Sequence, residues 1–274
     1  MTKFDAKSKP LRFITGMHRS GTTWVGQVVA HALPGCMVHE PLNATAGLIG
    51  VEKWYYGPKE GAYIASIIGE MLGGQRSFRR RRRTDTLLRN LARSIAGSRN
   101  ERELSNALQA HNPMVILKDP FVIRLGALLA KEFGAKGVVL MRHPAALVNS
   151  LKRMGWSLPP IDAQPIETYS ADPDLQFAFH VGKFWSLLYG EVEKQLQVAP
   201  DHLHLFRHED LCNEPVTIGA RILGHLDVPS KDAALDFLRS STSGQDGEVS
   251  GNQLHNMHRD AKKLAESEKL GVRS

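Results

Sequence analysis

The sequence predicts an α/β protein of three layers, α/β/α, with a parallel sheet at the centre. Strand-like apolar runs recur at 11–15, 114–118, 137–141 and 203–206, and segments of helical pattern lie between them. Such βα alternation builds a parallel sheet covered by helices on both faces. Arg19, Lys118, Arg142 and Arg207 all stand at or just after the carboxyl end of a run, which is where these sheets bind ligands. A chain of 274 residues suffices for one substantial domain, and no internal repeat divides it, so a single domain over residues 1–274 is expected.

The first run, Leu11 to Thr15, enters a loop of Gly16, Met17, His18, Arg19, Ser20 and Gly21, and a helix then starts with Thr22, Thr23 and Trp24. A tight glycine-containing loop ahead of a helix N-terminus points backbone N–H groups at an anion. Gly16, Gly21 and Thr23 match the phosphate-binding pattern G-x-x-x-x-G-K-[ST], but Thr22 stands where the lysine belongs. The nearest cation is Arg19, inside the loop. This departure points away from ordinary ATP chemistry and toward a nucleotide with a different anionic end. After the first helix, His39 and Glu40 lie in a segment expected to be extended, so that their side chains point to opposite sides and only one faces the loop.

The run at 114–118 ends on Lys118, and Asp119 before Pro120 reads as an N-cap. The run at 137–141 delivers a second anion site: Arg142 at the turn, Pro144 as first helical residue and Gly155 as the helix stop. Ser150, eight residues after Arg142, falls about two helical turns on, where its hydroxyl can meet an arginine folded along the same face. The aromatic-rich segment 177–189 has helical spacing and reads as core-facing, with part of it available to line a pocket. Glu209 and Asp210 read as structural carboxylates that cap the next helix or fix Arg207.

These motifs carry a resemblance. The loop G-x-x-R-S-G-T-T-W, the later R-x-P-x-x-x-x-x-S and the segment R-x-E-D-L-x-x-x-P from Arg207 to Pro215 resemble the cytosolic and bacterial sulfotransferases, in the family's order. The resemblance implies the P-loop-like sulfotransferase fold and 3′-phosphoadenosine 5′-phosphosulfate (PAPS) as donor. It implies that Gly16, His18, Arg19, Ser20, Gly21, Thr22, Thr23 and Trp24 hold the 5′-phosphosulfate, and that Arg142 and Ser150 hold the 3′-phosphate. No metal is expected. Arg19 and Lys118 are the cations expected to offset charge developing in transfer, the largest catalytic term such sites offer. Cytosolic members carry a histidine base two positions after the lysine, and Pro120 occupies that place here. Glu40 is similar to the glutamate base of bacterial and carbohydrate-type relatives. His39, intrinsically the better base near neutral pH, competes for the role.

Composition sets the outer bounds. A net charge of +7 suits an anionic ligand or surface, and five consecutive arginines from Arg79 to Arg83 form a solvated face or a dock for an anionic glycan, glycolipid or membrane surface. Nucleic acid fits poorly, because no aromatics interleave that run for base stacking. Two cysteines, Cys36 and Cys212, suit a reducing compartment, and the N-terminus lacks an apolar signal segment, so a cytoplasmic protein is expected. The histidines, including His202 with His204 and His255 with His258, do not spell a metal site. The least regular segments, expected to be mobile, are 73–85, 158–173 and 240–256, and the resemblance implies that the tail around 243–247 with Arg259 occupies the place of a nucleotide-covering loop. The function expected is sulfuryl transfer to an acceptor hydroxyl, of a glycan or glycolipid. The alternatives are a nucleotide kinase with an altered loop, and a non-catalytic anion or lipid binder working through the arginine run.

Overall fold

In the computed structural model, residues 10–79, 99–110, 113–159, 161 and 168–243 are described. Alternation along the strands decides the layers. In β1 (Leu11–Gly16), Leu11 and Phe13 face one core and Ile14 the other. In β3 (Val115–Lys118), Val115 and Leu117 join the first core and Ile116 the second. Strands that are apolar on both faces need cover on both, the condition under which parallel sheets form. With β2 (Met37–His39), β4 (Lys136–Met141) and β5 (Leu203–Arg207) they make one five-stranded sheet, all pairs parallel, in the order β2-β3-β1-β4-β5.

The first core is closed by α2 (Gly61–Leu72), α3 (Arg99–Gln109), α4 (Gly126–Phe133), α5 (Pro144–Met154) and α6 (Pro173–Val198). The second is closed by α1 (Thr22–Ala32), α7 (His208–Asn213), α8 (Pro215–His225) and α9 (Asp232–Ser243). The expected three-layer α/β/α architecture is therefore present. Within α6, Val181, Leu188, Tyr189 and Val192 are buried, while Phe177, Phe184 and Trp185 of the aromatic-rich segment are partly buried against the first core. Pro144 does open α5, and Gly155 closes it in a left-handed conformation.

Between β1 and β4 the fit is close. Phe13 pairs in register with Gly137, and a Cβ on Gly137 would lie 2.0 Å from the Phe13 ring. The phenyl group of one strand thus occupies the side-chain place of its neighbour.

Two expectations change. The edge strand β2 has three residues, too short to show a period. It ends at His39, and Glu40 is not extended but left-handed, with φ 48°. A turn forces this: the Glu40 carbonyl accepts from the Asn43 N–H at 3.1 Å. The opposite-sides argument for His39 and Glu40 therefore does not apply. Of the irregular segments, 80–85, 160, 162–167 and 244–256 lie outside the described residues, as do Arg80 to Arg83, His255, His258 and Arg259. The described end of the first is tied down: Phe78 bridges to Leu48 and is 2 % exposed, and Arg79 donates to the Val51 carbonyl at 2.7 Å. No helix among the described residues is long and apolar enough to cross a membrane.

Candidate active site

The loop from β1 to α1 is built for close backbone approach. Gly16 has φ 151°, and a Cβ there would stand 2.3 Å from the Leu140 carbonyl oxygen. Gly21 has φ 99°, and a Cβ there would stand 2.7 Å from His208 Nδ1. Arg19, between them, is itself left-handed at φ 71°, a conformation that a non-glycine residue holds only where surrounding contacts enforce it. Gly21 is also the N-cap of α1 and brings no side chain to cap it, so the dipole end of the helix is left for an anion. The Ser20 N–H donates to the Met17 carbonyl at 3.0 Å and closes the loop. Beneath it the Tyr189 hydroxyl accepts from the Met17 N–H at 3.2 Å and donates to the Leu140 carbonyl at 2.7 Å, joining the ends of β1 and β4. Thr22 is buried and Thr23 exposed, while the Trp24 indole N–H donates to Ser241 of α9 at 2.9 Å.

The second anion segment meets the first. Arg19 Nε donates to Ser150 Oγ at 3.0 Å, and Arg142 Nη1 donates to the Arg19 carbonyl at 3.0 Å. The serine thus meets the loop arginine rather than Arg142, the partner suggested by helix spacing. The Trp185 indole N–H holds the Arg142 carbonyl at 3.0 Å. Arg142 Nε is buried with no hydrogen-bond partner among the described residues. Burial, Arg142 and Arg153 hold the Arg19 guanidinium below its ordinary range. Arg153 escaped the sequence reading, although it sits three residues after Ser150 on the same helix face, a spacing that was visible. Guanidinium groups crowded in this way repel one another until an anion lies between them.

Lys118 and Glu40 form the other half of the site. Lys118 Nζ donates to Glu40 Oε1 at 2.8 Å, and Asn43 Nδ2 donates to Oε2 at 3.0 Å. The lysine side chain is 8 % exposed and the glutamate 31 %. Burial alone would raise the carboxyl, but Lys118, His18 and Asn43 outweigh it and bring Glu40 down to about 2. Asp119, fully buried, accepts from the Phe121 N–H at 2.8 Å as the expected N-cap, and also from the Leu42 N–H at 2.7 Å. Burial pushes Asp119 up to about 7, against the pull of those two N–H groups. Its second bond ties the loop that carries Glu40 to the end of β3. His39 closes β2, and its backbone is bracketed by Asn100, which accepts from the His39 N–H at 3.1 Å and donates to its carbonyl at 2.7 Å.

His18 lies between these halves. Its Nδ1 is 2.7 Å from the Tyr55 hydroxyl, and its ring packs against Phe121, Tyr55 and Trp156 at centroid distances of 5.0, 6.0 and 6.2 Å. Burial, over the opposing pull of Glu40 and aided by Lys118 and Arg19, lowers the imidazole to about 4. The Tyr55 contact joins two loops 37 residues apart, and nothing periodic in the sequence announces it.

Glu209, expected to cap the next helix or fix Arg207, accepts instead from the His143 N–H at 2.9 Å, at the turn after Arg142. His204 and His225 face each other at 2.8 Å between their Nδ1 atoms. Among the described residues no group of three His, Cys, Asp or Glu side chains could hold a metal ion.

A family model described as "Sulfotransferase family" matches residues 10–232. No curated protein matches the chain. Among solved structures, the sulfotransferase domain from the curacin biosynthetic pathway is 17 % identical, with 82 % of this chain and 76 % of that chain covered and a TM-score of 0.43. A sulfotransferase from Mycobacterium tuberculosis is 14 % identical over 85 % and 71 %, with a TM-score of 0.45, and a mouse sulfotransferase complexed with PAP (3′-phosphoadenosine 5′-phosphate) is 10 % identical over 87 % and 65 %, with a TM-score of 0.41. The matched stretch begins at the foot of β1 and ends on the first residue of α9, so it takes in both segments expected to bind anions and the Glu40–Lys118 pair: the chain belongs to the sulfotransferase family, enzymes that carry a sulfuryl group from PAPS to an acceptor.

Proposed function

We propose that this protein transfers the sulfuryl group of PAPS to an acceptor hydroxyl, of a glycan or glycolipid, with Glu40 as the base. The observation that carries the reading is the junction of the two anion segments, Arg19 on Ser150 and Arg142 on Arg19, across 131 and 123 residues of sequence. It gathers cations and a hydroxyl at the helix N-terminus behind Gly21, the combination a nucleotide with two separate anionic ends requires. In this reading Arg142 and Ser150 hold the 3′-phosphate, and the loop from Gly16 to Thr23, Arg19 included, holds the 5′ end. Bound PAPS supplies the activated sulfuryl group.

Lys118 serves two anions in turn. At rest it neutralises Glu40, which makes the glutamate a poor base. When Lys118 and Arg19 turn to the negative charge that grows at the cradle, Glu40 loses its cation, and its affinity for a proton rises as the acceptor hydroxyl gives one up. His39 remains the competing base. The glutamate-type base favours a carbohydrate acceptor, and net +7 favours one that is anionic or lies on an anionic surface. The reading requires no metal and is set in the cytoplasm, which the two unbonded cysteines, Cys36 and Cys212, support.

Calorimetry with PAP tests the reading, with ATP, ADP and AMP in parallel. Binding that needs the 3′-phosphate and collapses in Arg142→Ala is the expected result. Equal or tighter magnesium-dependent ATP binding would overturn it in favour of a kinase. Replacing Glu40 by Gln and His39 by Gln in turn, once an acceptor is found, separates the two bases.

A further inference from the structure

Tyr55 has no part in the reaction as proposed, yet it is held in place with care. Its backbone is left-handed at φ 47°, and its carbonyl accepts from Arg124 Nη1 at 3.4 Å. Arg124 is gripped in turn by Glu191 of α6, through Nε at 2.7 Å and Nη2 at 2.9 Å. A strained residue whose surroundings over-determine it marks a position where strain serves function. The Tyr55 phenol is 1 % exposed, and among the described residues its hydroxyl is bonded to His18 Nδ1.

That bond assigns the tautomer of His18. The phenol is buried with Nδ1 as its one partner among the described residues, so its proton is satisfied only by donation to Nδ1. The single proton of the neutral imidazole then sits on Nε2. His18 is half-buried, and its Nε2 is bonded to no described residue. It is carried by the loop between Met17 and Arg19, beside the Lys118–Glu40 pair, whose charges both act on the ring.

We infer that His18 donates a hydrogen bond from Nε2 to the sulfuryl group in transfer, and that Tyr55 is the positioning residue that fixes the tautomer. The inference rests on the PAPS reading above. In that reaction the acceptor oxygen forms a bond to sulfur while the bond from sulfur to the departing nucleotide breaks. The electron pair of the broken bond leaves with the nucleotide, and the acceptor proton goes to Glu40. His18 keeps its own proton throughout. An uncharged donor suits this place, because it meets sulfuryl oxygen without adding a further fixed cation to Arg19 and Lys118.

The sulfuryl group distinguishes PAPS from PAP, so paired affinities isolate the contact. Equilibrium binding of both nucleotides to the full chain is measured for the wild type, His18→Leu, His18→Gln and Tyr55→Phe. His18→Leu is expected to lose about tenfold in PAPS affinity, as for one hydrogen bond to a charged group. Its loss in PAP affinity, which reports any contact with the 5′-phosphate, should be smaller, and an unchanged thermal midpoint shows that the chain is folded. His18→Gln, which keeps an N–H near the Nε2 position, should recover most of the loss. Nitrogen NMR of the imidazole should show protonated Nε2 in the wild type and a mixture of tautomers in Tyr55→Phe. Equal losses for PAP and PAPS, no loss for either, or a wild-type ring protonated at Nδ1 would overturn the inference while leaving the PAPS reading intact. A wild type that binds neither nucleotide overturns both.

Discussion

The two ends of the site differ in how their charge is treated. Around Arg19, Arg142 and Ser150, cations crowd together, and among the described residues no carboxylate pairs with them. Around Lys118 and Glu40 every charge is answered: ammonium on carboxylate, amide on carboxylate, and a histidine pressed to its neutral form. The first arrangement is unfavourable until an anion arrives, which is how a site gains affinity for one. The second is content at rest and changes only when a partner is drawn off. On the proposed reading the contrast separates a holding end from a working end, and substitutions should respect the division.

The largest effect is expected from Lys118→Ala. Loss of a fixed cation aimed at developing charge should lower turnover by about 10²–10³-fold, with PAP affinity within about threefold of wild type if the lysine serves chemistry and not holding. A parallel collapse of PAP binding in calorimetry would break the division. Next in size, Arg142→Ala should weaken PAP binding by about 10–100-fold, the range for one charge-assisted hydrogen bond. Its salt dependence should fall with it, which titrations at two ionic strengths check.

A smaller effect concerns acid. Glu40 is depressed from about 4.5 to about 2, so its pairing stabilises the fold above the unfolded value and loses that contribution as pH falls through the folded one. Because the glutamate side chain is 31 % exposed, solvent screening limits the gain to about 1 kcal/mol. Urea midpoints of wild type and Glu40→Gln should differ by a constant amount from pH 7 to 5 and converge between about pH 4.5 and 2. A gap that persists at pH 2 would mean that the charge contributes nothing. The smallest change belongs to Glu209→Gln, whose carboxylate accepts from the His143 N–H. It should cost about 0.5–1 kcal/mol in stability and leave turnover within about twofold.

Much of this was legible in the sequence, and the reason is local. The strands β1 and β4 announce themselves as apolar runs, Pro144 and Gly155 punctuate a helix, and Gly16 and Gly21 mark a turn that requires unusual backbone angles. Asp119 was readable as a cap because a cap is a short-range device. The misreadings arose where distant segments decide. Ser150 was matched to Arg142 by helix spacing, but Arg19 reaches it from another strand's loop. Strand alternation sends His39 and Glu40 to opposite sides, but the turn to Asn43 bends the backbone at Glu40 first. Tyr55 carries no signal at all, since its place depends on Arg124 and Glu191 in elements that follow it.

The ring of Phe13 in the empty side-chain place of Gly137 acts as a dowel between two rails. A slip of one residue between β1 and β4 would displace the strands by about 3.3 Å and drive the ring into a side chain. The loops that present Arg19 and Arg142 begin three to five residues further along those same strands, at positions where Gly16 lies opposite Leu140. The tolerance on the gap between the two arginines is therefore machined in the dry interior, away from solvent and ligand.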